Sequence, residues 1–301
     1  MALANTRLDF VQTNALDATV QQVFHDQEPV GAVVATRRLA LMGSSTTAHL
    51  QAGIRVAGLR RGIRLEIVEP DYGQVRQALF DDTSAIARFR PELVLLAFDA
   101  STLASGVHSG LSAADADGLL DSKVAELRGL WRRAQAMSGA TVLQQTALPV
   151  LPDLLGSGEH RLPGSPSFFL ERLNMRLREE ADREGVHLVS VDRRAVRDGI
   201  SAWHDAALWH RSKQEISLPA TPFYGELVVR QIAALMGRSA KCLVLDLDNT
   251  LWGGVIGDDG LDGIVLGQGS ATGEAFAAVQ GYASALSQRG VILAVCSKND
   301  E

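Results

Sequence analysis

The feature that most constrains this chain is a repeated pattern: a short apolar run, a polar or glycine-containing turn, then a stretch with helical spacing. Residues 39–42 run into Gly43-Ser44-Ser45-Thr46-Thr47, and residues 48–61 follow as a helix stopped by Gly62. Residues 63–68 alternate as a strand, and Tyr72-Gly73-Gln74 marks the next turn. A second helix leads to Pro91, and residues 93–98 then form the continuous apolar run of a strand buried on both faces. Residues 115–138 read as a helix, 141–145 as a strand, and the Pro- and Gly-rich 149–166 as a loop. Residues 167–184 form an amphipathic helix ended by Gly185, and 186–191 another strand. Strands alternating with helices predict a parallel sheet with helices on both faces. The first forty residues or so are weakly patterned and mostly helical in character.

Composition narrows the setting. The 301 residues are 46% hydrophobic and 21% charged, as in a globular protein with a well-filled core. The formal net charge of −6 leaves no basic balance to displace phosphate counterions, so nucleic acid is not an expected partner. The clusters Arg37-Arg38, Arg60-Arg61 with Arg64, Arg132-Arg133 and Arg193-Arg194 read mostly as solvated helix faces. No apolar run approaches the roughly 18 residues of a membrane span, so no membrane is expected. The N-terminus lacks the basic-then-apolar order of a secretion signal. Cys242 and Cys296 lie far apart in apolar stretches, which predicts no disulfide framework, a cytoplasmic location and a core position for Cys242.

A new unit opens after Gly237-Arg238-Ser239. Residues 242–245 are an apolar strand running directly into Asp246-Leu247-Asp248-Asn249-Thr250. The glycine-rich stretch 253–260 has the turn residues of a β-hairpin. A helix over 272–289 places Phe276, Val279, Ala283 and Leu286 on one face, and Gly290 stops it. The strand 291–296 then delivers Ser297-Lys298-Asn299-Asp300. Both polar motifs thus sit at strand carboxyl ends, the edge where open α/β sheets bind ligands.

Two carboxylates one residue apart at a strand end both reach a phosphoryl group if the chain leaves strand geometry there. Asp246 would attack phosphorus to form an aspartyl phosphate, with Asp248 as general acid and base. Mg²⁺ held at Asp246 and Asp248 would offset carboxylate–phosphate repulsion. Thr250 and Ser297 would donate hydrogen bonds to phosphoryl oxygens.

These motifs carry a resemblance. LVLDLDNTLWGG is similar to the first motif of the haloacid-dehalogenase (HAD) superfamily, and AVCSKND to its second, which adds Lys298 and Asn299 to the phosphate-binding set. NTLWGGVIGDDG followed by RGVILAVCSKNDE resembles the FkbH-like family more particularly, as do GSSTTAHL and DYGQVRQ in the first half. The resemblance implies an α/β chain of three parts: a helical leader over 1–35, an SGNH-like parallel three-layer α/β domain over 36–238, and the incomplete beginning of a HAD-like Rossmannoid domain over 239–301. It implies a glyceryl transferase and phosphatase. Such an enzyme takes a small-molecule acyl phosphate, 1,3-bisphosphoglycerate, releases phosphate, and delivers a glyceryl thioester to an acyl carrier protein for polyketide extender units of methoxymalonyl type or for tetronates. Cys296, beside the first motif, becomes a candidate acyl carrier, with an ordinary buried strand position as the alternative. A plain Mg²⁺-dependent phosphatase and a non-catalytic carrier-docking protein are the competing functions.

A full HAD site needs a later lysine and acidic pair, so the chain is expected to be a fragment with an uncovered apolar sheet face, weak Mg²⁺ binding and poor turnover. In the SGNH-like part, Ser44 and Ser45 fall in the Gly-x-Ser turn, with Ser45 at the nucleophile position. Gly73 stands near an oxyanion donor, and Asp99 lies where such hydrolases carry Asn. Asp205 and His210 have the wrong spacing for a closing Asp-x-x-His. A non-hydrolytic role is therefore expected there, in carrier-protein docking or in shaping an acyl pocket.

Overall fold

The computed structural model describes residues 2–24 and 35–298. They form two compact units, residues 1–235 and 236–301. The first unit is built on five parallel strands: β1 (Ala35–Gly43), β2 (Ile63–Val68), β3 (Leu93–Ala97), β4 (Thr141–Gln145) and β5 (His187–Val189), in the order β2-β1-β3-β4-β5. This is a mixed α/β fold with a doubly wound parallel sheet.

Period-two alternation sorts the central strands into two buried faces. Ala40, Met42, Val94, Leu96 and Val142 join one core with Leu127, Trp131 and Phe169 of the long helices Ala113–Ser138 and Pro166–Glu184. The intervening Leu39, Leu41, Leu95 and Leu143 are equally buried and point to the opposite face. On that side the helices Gln51–Leu59 and Thr221–Leu235 pack on one another. The N-terminal helix Phe10–Val23 is tied to this layer by the Asp17 carboxylate, which accepts from Arg55 Nε at 2.9 Å and Nη2 at 2.7 Å.

Several sequence expectations change. β1 begins at Ala35, four residues before the apolar run, because its first residues pair with residues 63–66 of β2. The helix expected before Pro91 is two short ones, Val75–Phe80 and Ala85–Phe89, separated by a turn in which Asp81 caps Thr83. The arginine clusters are largely paired within the chain: Arg60 and Arg61 with Glu226, Arg132 with Glu184, Arg133 with Asp82 and Arg194 with Asp198. Residues 25–34, part of the expected helical leader, lie outside the described residues.

The second unit pairs β6 (Cys242–Leu245) with β7 (Ile292–Val295) in parallel, joined through the helices Ile256–Gly263 and Ala271–Gln288. The glycine-rich stretch is not a hairpin. Only one antiparallel bridge forms, Gly253 with Val265, and residues 256–263 turn helical with a kink at Gly260. The capping geometry explains this: the Asp259 carboxylate accepts the Val255 N–H at 2.8 Å, which closes a turn where a strand would need an open ladder. Cys242 is exposed rather than in the core. Leu243 and Leu245 are half-buried on one face of the sheet, while Cys242 and Val244 point to the other, and Val244, Ile292 and Val295 are 59%, 63% and 59% exposed. Val279 likewise faces outward, because the helix turns Gly273, Phe276 and Ala283 inward instead.

In the first unit, the helices Gln51–Leu59 and Thr221–Leu235 approach closely where Gly53 and Gly225 cross. A Cβ on Gly225 would stand 2.2 Å from the Gly53 carbonyl oxygen, and that atom belongs to backbone that cannot swing aside. Overpacking of this kind costs about 1–3 kcal/mol. Gly225→Ala is therefore expected to lower the urea midpoint by a corresponding amount, whereas Gly118→Ala, with nothing within 4 Å of the new methyl, is expected to leave it level or raise it.

Candidate functional site

In the second unit the chain leaves β6 at Leu245 and immediately turns. The N–H groups of Thr250 and Leu251 donate to the Leu247 carbonyl at 3.1 and 2.8 Å, and Asn249 takes a left-handed conformation at φ 54°. Asn at that position tolerates the conformation at lower cost than most residues. The turn takes Asp246 and Asp248 out of strict strand alternation. Asp246 is exposed and accepts the Leu247 N–H at 2.8 Å through Oδ1. Asp248 is half-buried, and its Oδ1 accepts from Trp252 Nε1 at 3.0 Å and from the Ile256 N–H at 3.2 Å. Each carboxylate keeps Oδ2 outside these bonds. Asn249 Oδ1 accepts the Gly254 N–H at 3.0 Å, fixing the loop behind them.

β7 ends beside this turn. The Cys296 N–H donates to the Leu245 carbonyl at 2.9 Å, so the backbone of Cys296 is bonded to the residue before Asp246. Cys296 is exposed, not buried within the strand layer. Ser297 is half-buried and Lys298 exposed; Asn299 lies outside the described residues. Parallel pairing therefore brings the DLDNT and CSK segments to one edge. No group of three or more His, Cys, Asp or Glu side chains suited to a metal occurs among the described residues. Two carboxylates with one spare oxygen each do match the sparse protein contribution typical of Mg²⁺, which keeps waters and substrate phosphate oxygens for the rest.

In the first unit the carboxyl ends of β1 and β3 meet where the strand order reverses, the crevice where open α/β sheets bind ligands. Ser44 and Asp99 are joined there. Ser44 Oγ donates to Asp99 Oδ2 and accepts the Asp99 N–H at 2.8 Å. Thr102 completes the cluster, donating its hydroxyl to Oδ2 at 2.8 Å and its N–H to Oδ1 at 2.9 Å. Asp99 is 2% exposed and also caps the short helix that follows. Ser44, Gly73 and Thr102 line a cavity of about 270 Å³. Ser45, by contrast, is buried beside Thr47 and His49 and does not line that cavity.

One residue here had no sequence motif to announce it. Glu215 is fully enclosed, with Oε1 accepting the Ala100 N–H at 2.6 Å and Oε2 accepting from Gln145 Nε2 at 3.4 Å. Tyr224 donates to Gln145 Oε1 at 2.7 Å. Burial, reinforced by the nearby Asp99, pushes the Glu215 carboxyl up to about 8. The available signal was a lone acid inside QEISLPATPFYG, an otherwise uncharged stretch.

Asp205 and His210 do not join this cluster. The Asp205 carboxylate caps a helix, accepting the Ala207 and Leu208 N–H groups at 2.9 and 3.2 Å, and His210 sits exposed on that helix. Among the described residues no imidazole hydrogen-bonds to Ser44 or Ser45. His49 Nε2 bonds to the Ile216 carbonyl, and His204 Nδ1 to that of Glu215. Burial lowers the pKa of His49, and its Nδ1 has no partner.

The model of the FkbH N-terminal domain matches residues 38–233. The chain belongs to this family. A similar solved structure is the N-terminal part of the protein BF1531 from Bacteroides fragilis, containing a phosphatase domain and complexed with Mg. It is 28% identical over 98% of this chain and 75% of its own, with a TM-score of 0.84. TesA, at 20% identity, matches 66% of this chain and 99% of its own with a TM-score of 0.45. The acetyl xylan esterase AlAXEase, at 13%, matches 65% and 99% with 0.40. No curated protein matches the chain.

Within the FkbH N-terminal domain, Glu215 makes stability depend on pH. The folded state keeps the proton to about pH 8 while the unfolded chain releases it near 4.5, so the wild type loses stability as pH rises between those values and then levels off. Glu215→Gln retains an acceptor for the Ala100 N–H and cannot ionise. Its melting temperature relative to wild type is expected to climb from pH 5 to pH 8; a pH-independent difference over that range would contradict the buried-acid assignment.

Proposed function

We propose that this protein is a glyceryl transferase with HAD-type phosphatase chemistry, passing a glyceryl group from 1,3-bisphosphoglycerate to the phosphopantetheine thiol of an acyl carrier protein. The observation that carries the reading is the adjacency of the Asp246/Asp248 turn and Cys296, bonded backbone to backbone through Cys296 N–H and the Leu245 carbonyl. Family membership and the phosphatase domain named for the Bacteroides fragilis relative support it.

In this reading the Cys296 thiolate attacks the C1 carbonyl of the acyl phosphate. The C–O bond to phosphate breaks, giving inorganic phosphate and a 3-phosphoglyceryl thioester on Cys296. An Asp246 oxygen then attacks the remaining phosphorus, and Asp248 gives its proton to the departing C3 oxygen. Water hydrolyses the aspartyl phosphate, with Asp248 taking back a proton. The carrier thiol finally attacks the glyceryl thioester, releasing Cys296. Thr250, Ser297, Lys298 and Asn299 would hold phosphoryl oxygens. Mg²⁺, which Asp246 and Asp248 would hold, supplies charge neutralisation at phosphate when bound. A hydrolytic role for the first unit is disfavoured, since Ser44 Oγ already accepts a backbone N–H and donates to Asp99, and no described imidazole is bonded to it.

The test incubates the protein with 1,3-bisphosphoglycerate, Mg²⁺ and phosphopantetheinylated carrier, followed by intact mass spectrometry of both proteins. A glyceryl mass on the carrier is expected. Asp246→Asn is expected to stall at the 3-phosphoglyceryl adduct, with release of the C3 phosphate down by about a hundredfold or more. Cys296→Ala is expected to carry no adduct; an adduct persisting there would remove the thiol from the mechanism. Phosphate release with no acylated carrier would make the protein a plain phosphatase.

A further inference from the structure

We propose that Trp252 is a positioning residue for Asp248: its indole N–H fixes which carboxylate oxygen faces the phosphoryl site, leaving Oδ2 as the atom that gives and takes the proton. This rests on the acid–base role given to Asp248 in the proposed reaction, and adds the atom at which that role is carried out.

An aspartate carboxylate turns about a broad, roughly two-fold torsion, so one hydrogen bond does not decide which oxygen points where. At Asp248 two donors meet on a single oxygen. Oδ1 accepts Trp252 Nε1–H at 3.0 Å and the Ile256 N–H at 3.2 Å. A carboxylate oxygen has two lone pairs, and both of those on Oδ1 are spent. A proton carried by Asp248 therefore sits on Oδ2. In the proposed step an Asp246 oxygen bonds to phosphorus while the bond from phosphorus to the C3 oxygen breaks. The electron pair stays with the C3 oxygen, which takes its proton from Asp248 Oδ2.

Trp252 is itself held on both sides. Before it, the Leu251 N–H donates to the Leu247 carbonyl at 2.8 Å, and the Leu251 carbonyl accepts Gln280 Nε2 at 2.8 Å from the helix Ala271–Gln288. After it, Gly253 exchanges two bonds with Val265: the Gly253 N–H donates at 2.9 Å and the Gly253 carbonyl accepts at 2.8 Å. Gly253 is buried, and a Cβ there would stand 3.0 Å from the Phe276 ring and 3.2 Å from the Val265 Cβ. The backbone on either side of the indole is thus anchored to the helix and to the bridge, not only to the Asp246–Asp248 turn. An indole N–H can only donate, and in a half-buried setting it needs an acceptor. Asp248 Oδ1 is the acceptor it has. Trp252→Phe keeps a ring in place but leaves the Ile256 N–H alone on Oδ1, which frees the carboxylate to turn.

Two phosphate esters separate positioning from a general loss of structure. 3-Phosphoglycerate departs as an alkoxide that needs the proton, whereas 4-nitrophenyl phosphate departs as a phenolate that does not. With Mg²⁺ present, the burst of released alcohol reports transfer to Asp246 before water enters. In Trp252→Phe the burst rate is expected to fall about a hundredfold with 3-phosphoglycerate and no more than about threefold with 4-nitrophenyl phosphate, with KM unchanged for both. Replacing the Trp252 indole by its sulfur isostere, benzothiophene, keeps the packing and removes only the N–H, and is expected to give the same split. A second readout needs no turnover. In ¹⁵N-labelled protein the indole N–H resonance that disappears in Trp252→Phe is expected to move upfield in Asp248→Asn, as its charged acceptor is lost. Equal slowing with the two esters, or an indole resonance that stays in place in Asp248→Asn, overturns the proposal. A wild type that releases neither alcohol counts against the proposed reaction itself, and the indole resonance then decides the positioning.

Discussion

Parallel strand pairing is the constraint from which both candidate sites follow. In a parallel ladder every strand ends on the same edge, so whatever the sequence writes after each apolar run converges there. β1 and β3 pair through Gly43 and Ala97, and one residue further the chain reaches Ser44 on one side and Asp99 two residues on at the other. β6 and β7 pair through Leu245 and Val295, and the next residues are Asp246 and Cys296. Neither pair is close in sequence. Register alone makes them neighbours, and a slip of one residue would turn both motifs to the wrong face.

The first unit shows how burial decides chemistry that residue types leave open. Ser, Asp, Glu and His all lie near the β1/β3 crevice, which on composition alone suits a serine relay. Hydrogen bonding removes that option. Ser44 is held between the Asp99 carboxylate and the Asp99 N–H, Glu215 is enclosed and kept protonated, and His49 and His204 each bond a backbone carbonyl rather than a serine. Three residues after Glu215 stands Leu218, so the Asp-x-x-His spacing of the hydrolases is met by an acid without its imidazole. The cluster braces the crevice, whose cavity is also lined by Lys123 and Gly73.

The second unit contrasts with this. Its carboxylates sit on a turn stabilised by local bonds, from Asn249, Trp252 and Asp259, and Asp246 and Cys296 are exposed. Local hydrogen bonds shape such a motif with little help from a surrounding core, which is why DLDNT and CSK were legible as motifs while the hairpin expectation for residues 253–260 was not. Glycines permit a hairpin, but Asp259 capping Val255 favours a helical turn, and that preference depends on a carboxylate's direction.

The sequence by itself determined the strand and helix alternation, with β2, β4 and β6 falling on the expected residues, because alternating or apolar runs of four to six residues bounded by turn residues mark strands. It also determined the resemblance to the FkbH family, since short motifs at strand ends are written in consecutive residues. Only the tertiary structure decided the rest. It chose Ser44 over Ser45 as the partner of Asp99, made Asp205 a helix cap, and turned Cys242 outward. It also brought Glu215 to the Ala100 N–H and set Lys123 and Gly73 in the lining of one cavity. Each of these depends on which face a residue presents and on what lies across from it, quantities set by packing between segments tens of residues apart.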